Sequence, residues 1–164
     1  MELYLLRHSD AEPAGIGIGD RDRKLTENGI RKIAQVAKTL QTLRIEFDVL
    51  LSSPLVRCVE TASYISKLSN PPLPIIQTPT LLYDSPAIEF ISLLKKKYPA
   101  NQSVIAVGHA PHLGELATLL TTGSISYPLE IKKGGIIKIK IDSFSDRICG
   151  KMEWLIPPKI LRLG

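Results

Sequence analysis

The chain reads as an α/β protein: a three-layer, doubly wound and mostly parallel sheet with an antiparallel hairpin at one edge near the C-terminus. Three observations predict it. Short apolar runs alternate with stretches of helical periodicity, as βαβ units require. The first run is nearly continuous in apolar residues, as a strand covered on both faces is. Ile137, Ile139 and Ile141 alternate with Lys138 and Lys140, the period of two that marks a strand with one buried and one wet face. At 164 residues, 44% of them hydrophobic, the chain is expected to form one domain over 1–164.

In chain order, Leu3-Tyr4-Leu5-Leu6 is the first strand, followed by a loop carrying Gly15, Gly17 and Gly19. Thr26 suits an N-cap, opening a helix from Glu27 to about Leu43 with Ile30, Ile33, Ala34, Ala37 and Leu40 as its apolar stripe. Asp48-Val49-Leu50-Leu51 is the second strand. Ser53-Pro54 then reads as an N-cap followed by proline at the first helical position, with the helix running to about Leu68. Four prolines between Asn70 and Pro79 allow only a loop and a short strand around Ile75-Ile76. Helix is expected over Pro86–Lys97, strand over Ser103–Val107 and helix over Pro111–Leu120. A turn-rich segment from Asp142 to Gly150 separates the Ile137–Ile141 strand from a partner at Lys151–Ile156, and the tail from Pro157 reads as detachable.

Composition narrows the function classes. No apolar stretch approaches the roughly 18 residues that span a bilayer, and Arg7 interrupts the first apolar run, so a cytoplasmic protein without a membrane anchor is expected. Net charge is +5, but only Lys95-Lys96-Lys97 and Lys132-Lys133 cluster, and aromatics are 5%; the charge fits a small anion better than nucleic acid. Cys58 and Cys149 lie far apart, without the spacing of a redox pair or a structural zinc site. Gly15-Ile16-Gly17-Ile18-Gly19 neither directly follows a strand nor opens a helix, and so is no dinucleotide fingerprint.

Three places put a cationic or nucleophilic side chain just past the C-terminal end of a strand, where open α/β sheets bind ligands. They are Arg7-His8-Ser9, Arg57 in the first turn of the second helix, and Gly108-His109. A metal site of His8, His109 and His112 would meet repulsion from the arginines, so the set favours an anion. Planar guanidinium donors suit the oxygens of a phosphoryl group. The same cations would disfavour imidazolium and keep a neutral nitrogen on His8 at pH 7. In-line attack by His8 would then give a phosphohistidine enzyme, with Arg7, Arg57 and His109 holding the equatorial oxygens. Helix-start amides near Ser53-Pro54 and Pro111 add partial positive charge.

Four blocks occur in order: Arg7-His8 after the first strand; Leu25-Thr26-Glu27-Asn28-Gly29; Ser52-Ser53-Pro54-Leu55-Val56-Arg57 with Glu60-Thr61-Ala62; and Val107-Gly108-His109-Ala110-Pro111. Together they resemble the histidine phosphatase superfamily, nearest its short SixA-type phosphohistidine phosphatases. The resemblance implies a phosphoglycerate mutase-like fold, no cofactor or metal, His8 as phosphoryl acceptor, and Arg7, Arg57 and His109 as the rest of the phosphate pocket. It also implies a role in signal transduction, with a phosphohistidine-carrying protein domain as partner.

The chain departs from that pattern in two places. Ser9 stands where the family usually has glycine, and its hydroxyl is expected to add a donor to phosphate. The acid that phosphomonoester-cleaving relatives use has only Asp84 or Glu89 as candidates, Asp84 being the preferred one. Arg21 and Arg23, before Leu25-Thr26, are expected to reach over the pocket to the substrate. Two other functions stay open: a phosphomonoesterase acting on a small phosphorylated metabolite, and a non-enzymatic phosphate- or phosphoprotein-binding module. The loops Glu12–Lys24 and Pro71–Ser85 would set specificity.

Overall fold

A computed structural model describes residues 1–15, 17, 19–144 and 148–161. Six strands form one sheet in the order β3-β2-β4-β1-β5-β6. Four of them run parallel: β3 (Ile75–Gln77), β2 (Val49–Ser52), β4 (Ser103–Gly108) and β1 (Glu2–Arg7). The remaining pair, β5 (Ile136–Phe144) and β6 (Ile148–Ile156), is the expected antiparallel hairpin at the edge, with β5 paired to β1. Both hairpin strands reach further into the turn-rich segment than the sequence predicts; residues 145–147 lie outside the described residues.

Alternation along β1 divides the core. Leu3 and Leu5 face one cluster with Phe90 and Leu94 of α3 (Ala87–Lys97) and Leu113, Leu116 and Leu120 of α4 (His112–Thr122). Tyr4 and Leu6 face the other, with α1 (Glu27–Thr42) and α2 (Val56–Ser66). Side chains of period two on a central strand are what join the three layers. The α1 stripe is rotated from the expected one: Ile33, Val36, Ala37 and Leu40 are buried, whereas Ile30 and Ala34 face solvent. The spacing i, i+3, i+4, i+7 holds, but it starts at Ile33.

Two further expectations are corrected. The second helix begins at Val56, not at Pro54, and its N-cap position is Leu55; Ser53 is instead drawn into the site described below. The chain after Pro157 is not detached: α5 (Pro158–Leu161) lays Leu161 into the core beside α1, and the Leu161 carbonyl accepts from Thr39 Oγ1 at 2.5 Å.

Thr26 caps α1 as expected, its hydroxyl accepting from Gly29 N at 3.0 Å. The same turn presses against the chain just past β1. Thr26 N donates to Asp10 O, and a Cβ on Gly29 would lie 2.1 Å from that oxygen. Only glycine lets α1 start this close to the segment that carries His8.

Candidate active site

Strands β1, β2 and β4 end at one edge of the sheet, and main-chain bonds continue past those ends. His8 N donates to Gly108 O at 3.0 Å, and Ser53 N to Val107 O at 2.9 Å. The Arg7-His8, Ser53 and Gly108-His109 segments are therefore held in register. A cavity of about 310 Å³ opens there, lined by Arg7, His8, Arg57 and His109, and also by Asp20, Arg23, Tyr83, Ala110 and Lys133. The four residues of the sequence-predicted centre thus share one pocket.

His8 is 6% exposed, and its Nδ1 lies 2.7 Å from the Ser9 carbonyl. A carbonyl can only accept, so Nδ1 carries the proton and Nε2 keeps its lone pair. Burial, more than any other influence, pushes His8 down to about 4; the bond to Ser9 opposes this, and Arg57, Arg7 and Lys133 add to it. The arginines therefore act in the expected direction, but desolvation dominates. His109, 3% exposed, is likewise lowered to about 3, by burial first and then by His8 and Arg57. Its Nε2 lies 2.9 Å from Ser53 Oγ, and its ring centroid is 5.2 Å from that of His8. Both imidazoles are neutral at pH 7.

The cations around them are braced by oxygens. Arg7 Nη1 donates to Ile131 O at 2.7 Å, while its Nε is buried with no hydrogen-bond partner among the described residues, a donor suited to a ligand oxygen. Arg57, 4% exposed, gives Nη1 to Asp20 O at 2.6 Å and Nη2 to Asp20 Oδ2 at 3.1 Å. Arg23 Nη1 reaches Asp20 Oδ1 at 2.8 Å. Lys133 lies in a turn stitched behind His8: Gly134, at φ +77°, donates its N–H to the carbonyls of Arg7 and His8. Arg7 N in turn donates to Gly135 O at 3.0 Å. Four cations against one carboxylate leave the pocket strongly positive, as an anion of two charges requires.

Other sequence expectations fall elsewhere. Ser9 is fully buried and donates its hydroxyl to Gly29 O at 2.8 Å, so it points at α1 and not at the pocket. Its N–H is taken by Thr61 Oγ1 at 3.2 Å. Asp84 and Arg21 do not line the phosphate-sized cavity; they line a neighbouring groove of about 300 Å³ that shares Asp20 and Tyr83 with it. Burial lowers the buried His112 to about 4, and the charge of Asp84 opposes this. Glu89 is an exposed residue in the first turn of α3. His112 is absent from the pocket lining, and among the described residues no group of three or more His, Cys, Asp or Glu is placed to hold a metal ion. Ile16 and Ile18 of the glycine-rich stretch lie outside the described residues.

Sequence reasoning missed Asp20, Lys133, Ser53 and Tyr83. Asp20 had a readable signal, since it stands three residues before Arg23, the spacing of an ion pair. Tyr83, whose ring meets that of His109 edge-on at 5.9 Å, had none.

The profile of the histidine phosphatase superfamily (branch 1) matches residues 3–82. An uncharacterized protein of Picosynechococcus sp. is 30% identical over 165 residues, covering 96% of this chain and all of the relative. The chain belongs to the histidine phosphatase superfamily. A 2,3-bisphosphoglycerate-dependent phosphoglycerate mutase of Neisseria meningitidis is 33% identical over 72 residues, covering 43% of this chain but only 32% of the mutase. The protein histidine phosphatase SixA, in a structure with tungstate, shares the fold at a TM-score of 0.84 and 23% identity, covering 98% of this chain and 99% of SixA. Every superfamily block read from the sequence has a place in the geometry. Glu60 Oε2 accepts from Leu25 N at 2.6 Å, and Thr61 accepts from Ser9 N while donating to Arg57 O at 2.7 Å. The third block is thereby tied to the second and to the residue that follows the first.

Proposed function

We propose that this protein is a phosphatase that acts on phosphohistidine of a partner protein through a phospho-His8 intermediate. The observation that carries the proposal is His8 itself: a neutral imidazole, its Nδ1–H fixed on the Ser9 carbonyl, in a pocket lined by Arg7, Arg23, Arg57 and Lys133. The Nε2 lone pair attacks phosphorus. The bond from phosphorus to the substrate's imidazole nitrogen breaks with its electron pair, and that nitrogen takes a proton from solvent. Arg7, Arg57 and His109 bear the charge on the equatorial oxygens. Water then attacks phospho-His8, releasing inorganic phosphate and restoring the imidazole. At pH 7, about three units above its own value, nearly all of His8 is in the nucleophilic form.

The leaving group favours phosphohistidine over an alkyl ester. Among the described residues, the one carboxylate lining the pocket is Asp20, which Arg23 and then Arg57 hold below the usual carboxylate range. A carboxylate kept ionised is a poor proton donor to a departing alkoxide. Imidazole needs no such donor from the protein, because its ring nitrogens are readily protonated by solvent near neutral pH. The fold-level likeness to SixA agrees with this reading.

The test compares hydrolysis of a phosphohistidine-carrying protein domain with that of an aryl phosphate and an alkyl phosphate, in chelator, for wild type and His8→Ala. Preference for phosphohistidine, lost in His8→Ala, is expected. Preference for an ester would replace this reading with a phosphomonoesterase, and no turnover by folded wild type would leave a phosphate-binding module.

A further inference from the structure

Asp20 lines the pocket, and neither the superfamily blocks nor the proposed chemistry supplies it with a role. It sits in a short 3-10 turn, Asp20–Asp22, and all three of its oxygens are engaged. The main-chain oxygen takes Arg57 Nη1 at 2.6 Å, Oδ2 takes Arg57 Nη2 at 3.1 Å, and Oδ1 takes Arg23 Nη1 at 2.8 Å. Arg23 is anchored in turn by Nε to Glu12 O at 2.6 Å. The chain of contacts runs from the pocket's most buried guanidinium, with 5% of its side chain exposed, to a carboxylate with 42% exposed.

We propose that Asp20 is a positioning residue for the phosphate site, holding the terminal edge of the Arg57 guanidinium so that its remaining donors face the phosphoryl oxygens. The geometry separates this from two other roles. A guanidinium carries five N–H groups. Two are spent on Asp20, so three remain for oxygens of a ligand, and the carboxylate does not exhaust the donor it grips. Asp20 is also committed on both carboxylate oxygens, each to a cation, which leaves a weak base. Fixing a long side chain before the ligand arrives removes the ordering cost at the moment of binding, the usual reason for bracing a ligand-binding group from behind. The inference rests on the phosphate pocket of the proposed function, but not on which phosphorylated substrate is cleaved.

Two physical effects of removing Asp20 have opposite signs, and this makes the proposal decidable. Taking a negative charge from the pocket strengthens its pull on an anion; releasing Arg57 weakens it. The experiment titrates inorganic phosphate into wild type, Asp20→Ala, Asp20→Asn and Asp20→Glu, and measures kcat and KM of each with the preferred substrate. Expected is a phosphate affinity on the order of tenfold weaker in Asp20→Ala, with kcat reduced as well as KM raised, and substantial rescue by Asp20→Glu, which restores the charged acceptor. Thermal melts without phosphate monitor folding; if Asp20→Ala does not fold, Asp20→Asn carries the same test with the same sign.

Phosphate bound by Asp20→Ala as tightly as by wild type, or more tightly, would overturn the proposal and make Asp20 a competitor for Arg57. Unchanged affinity with phospho-His8 accumulating during turnover would also overturn it, assigning Asp20 to the attack of water. A wild type that binds phosphate but hydrolyses nothing would sink the phosphatase reading alone, because the titration needs no turnover. A wild type that binds no phosphate would sink both.

Discussion

Lowering the pH from 7 to 5.5 should destabilise this protein through its histidines. The chain has three, and His8, His109 and His112 are 6%, 3% and 0% exposed. Burial is the largest cause in each case, and it lowers them from 6.5 to about 4, about 3 and about 4. Below 6.5 the unfolded chain takes up protons that the folded chain refuses. The stability these neutral histidines contribute is therefore complete above pH 6.5 and is lost as pH falls from there toward 4. Between pH 7 and 5.5 each histidine costs about 1.2 kcal/mol, together roughly 4 kcal/mol, a large share of the 5–15 kcal/mol typical of a folded chain. Carboxylates such as Asp20 and Glu2, lowered by their cationic partners, lose their contribution only at more acid pH. The amino terminus of Met1, lowered by burial from 8.0, adds an effect of the same sign that begins at higher pH. Urea unfolding at the two pH values, at fixed ionic strength, should show the midpoint falling by roughly 2 M for a slope near 2 kcal/mol per M. His112→Gln should remove about a third of the pH dependence, whatever its own stability. A loss below about 1 kcal/mol would refute the reasoning, because folded histidines would then be accepting protons at pH 5.5.

Three substitutions probe the frame around the pocket. Ser9→Ala removes the hydroxyl that Gly29 O accepts and should cost about 1 kcal/mol in a melt while kcat stays within about twofold, since the hydroxyl points away from the pocket. Gly29→Ala places a Cβ 2.1 Å from Asp10 O and must push α1 off the His8 segment, so a loss of about 2–3 kcal/mol and a clear fall in kcat are expected together. Lys133→Ala should raise KM about threefold to tenfold at low ionic strength, and salt should shrink the difference; equal KM values at low salt would count against Lys133 as a phosphate contact.

Residues carried on parallel strand ends were legible because topology and sequence agree there. A histidine or arginine immediately past an apolar run can only emerge at the C-terminal edge of the sheet, and Arg7, His8 and His109 do. Lys133 escaped that rule for a physical reason. Strand β5 runs antiparallel to β1, so it brings the turn at its own beginning, not its end, to the same edge. In the sequence Lys132-Lys133 is only a basic pair. Ser53-Pro54 has the composition of a helix start, yet the strand-end bond from Ser53 N to Val107 O and the contact of Ser53 with His109 hold Ser53 at the sheet edge, and the helix begins only at Val56. Ser9 was assigned by its proximity to His8. The side chain after a pocket residue, however, faces the opposite side of an extended chain, and here that side is α1. Asp84 and Glu89 were the two acidic candidates at a suitable place along the chain; Asp84 lines the groove beside the pocket, and Glu89 is exposed on α3.

Strand β1 is synthesised well before both of its sheet neighbours, neither of which lies near it in sequence. Its partners are β4, beginning at Ser103, and β5, beginning at Ile136. Emerging from the ribosome, Leu3 to Leu6 must wait as an unpaired apolar segment until Ser103 and the residues after it have been made, and the turn at Gly134 that grips Arg7 and His8 arrives later still. Nascent chains halted before residue 131 would carry His8 without the carbonyl that holds Arg7 and without Lys133. The same central placement that buries the nucleophile makes it one of the last parts of the molecule to acquire its surroundings.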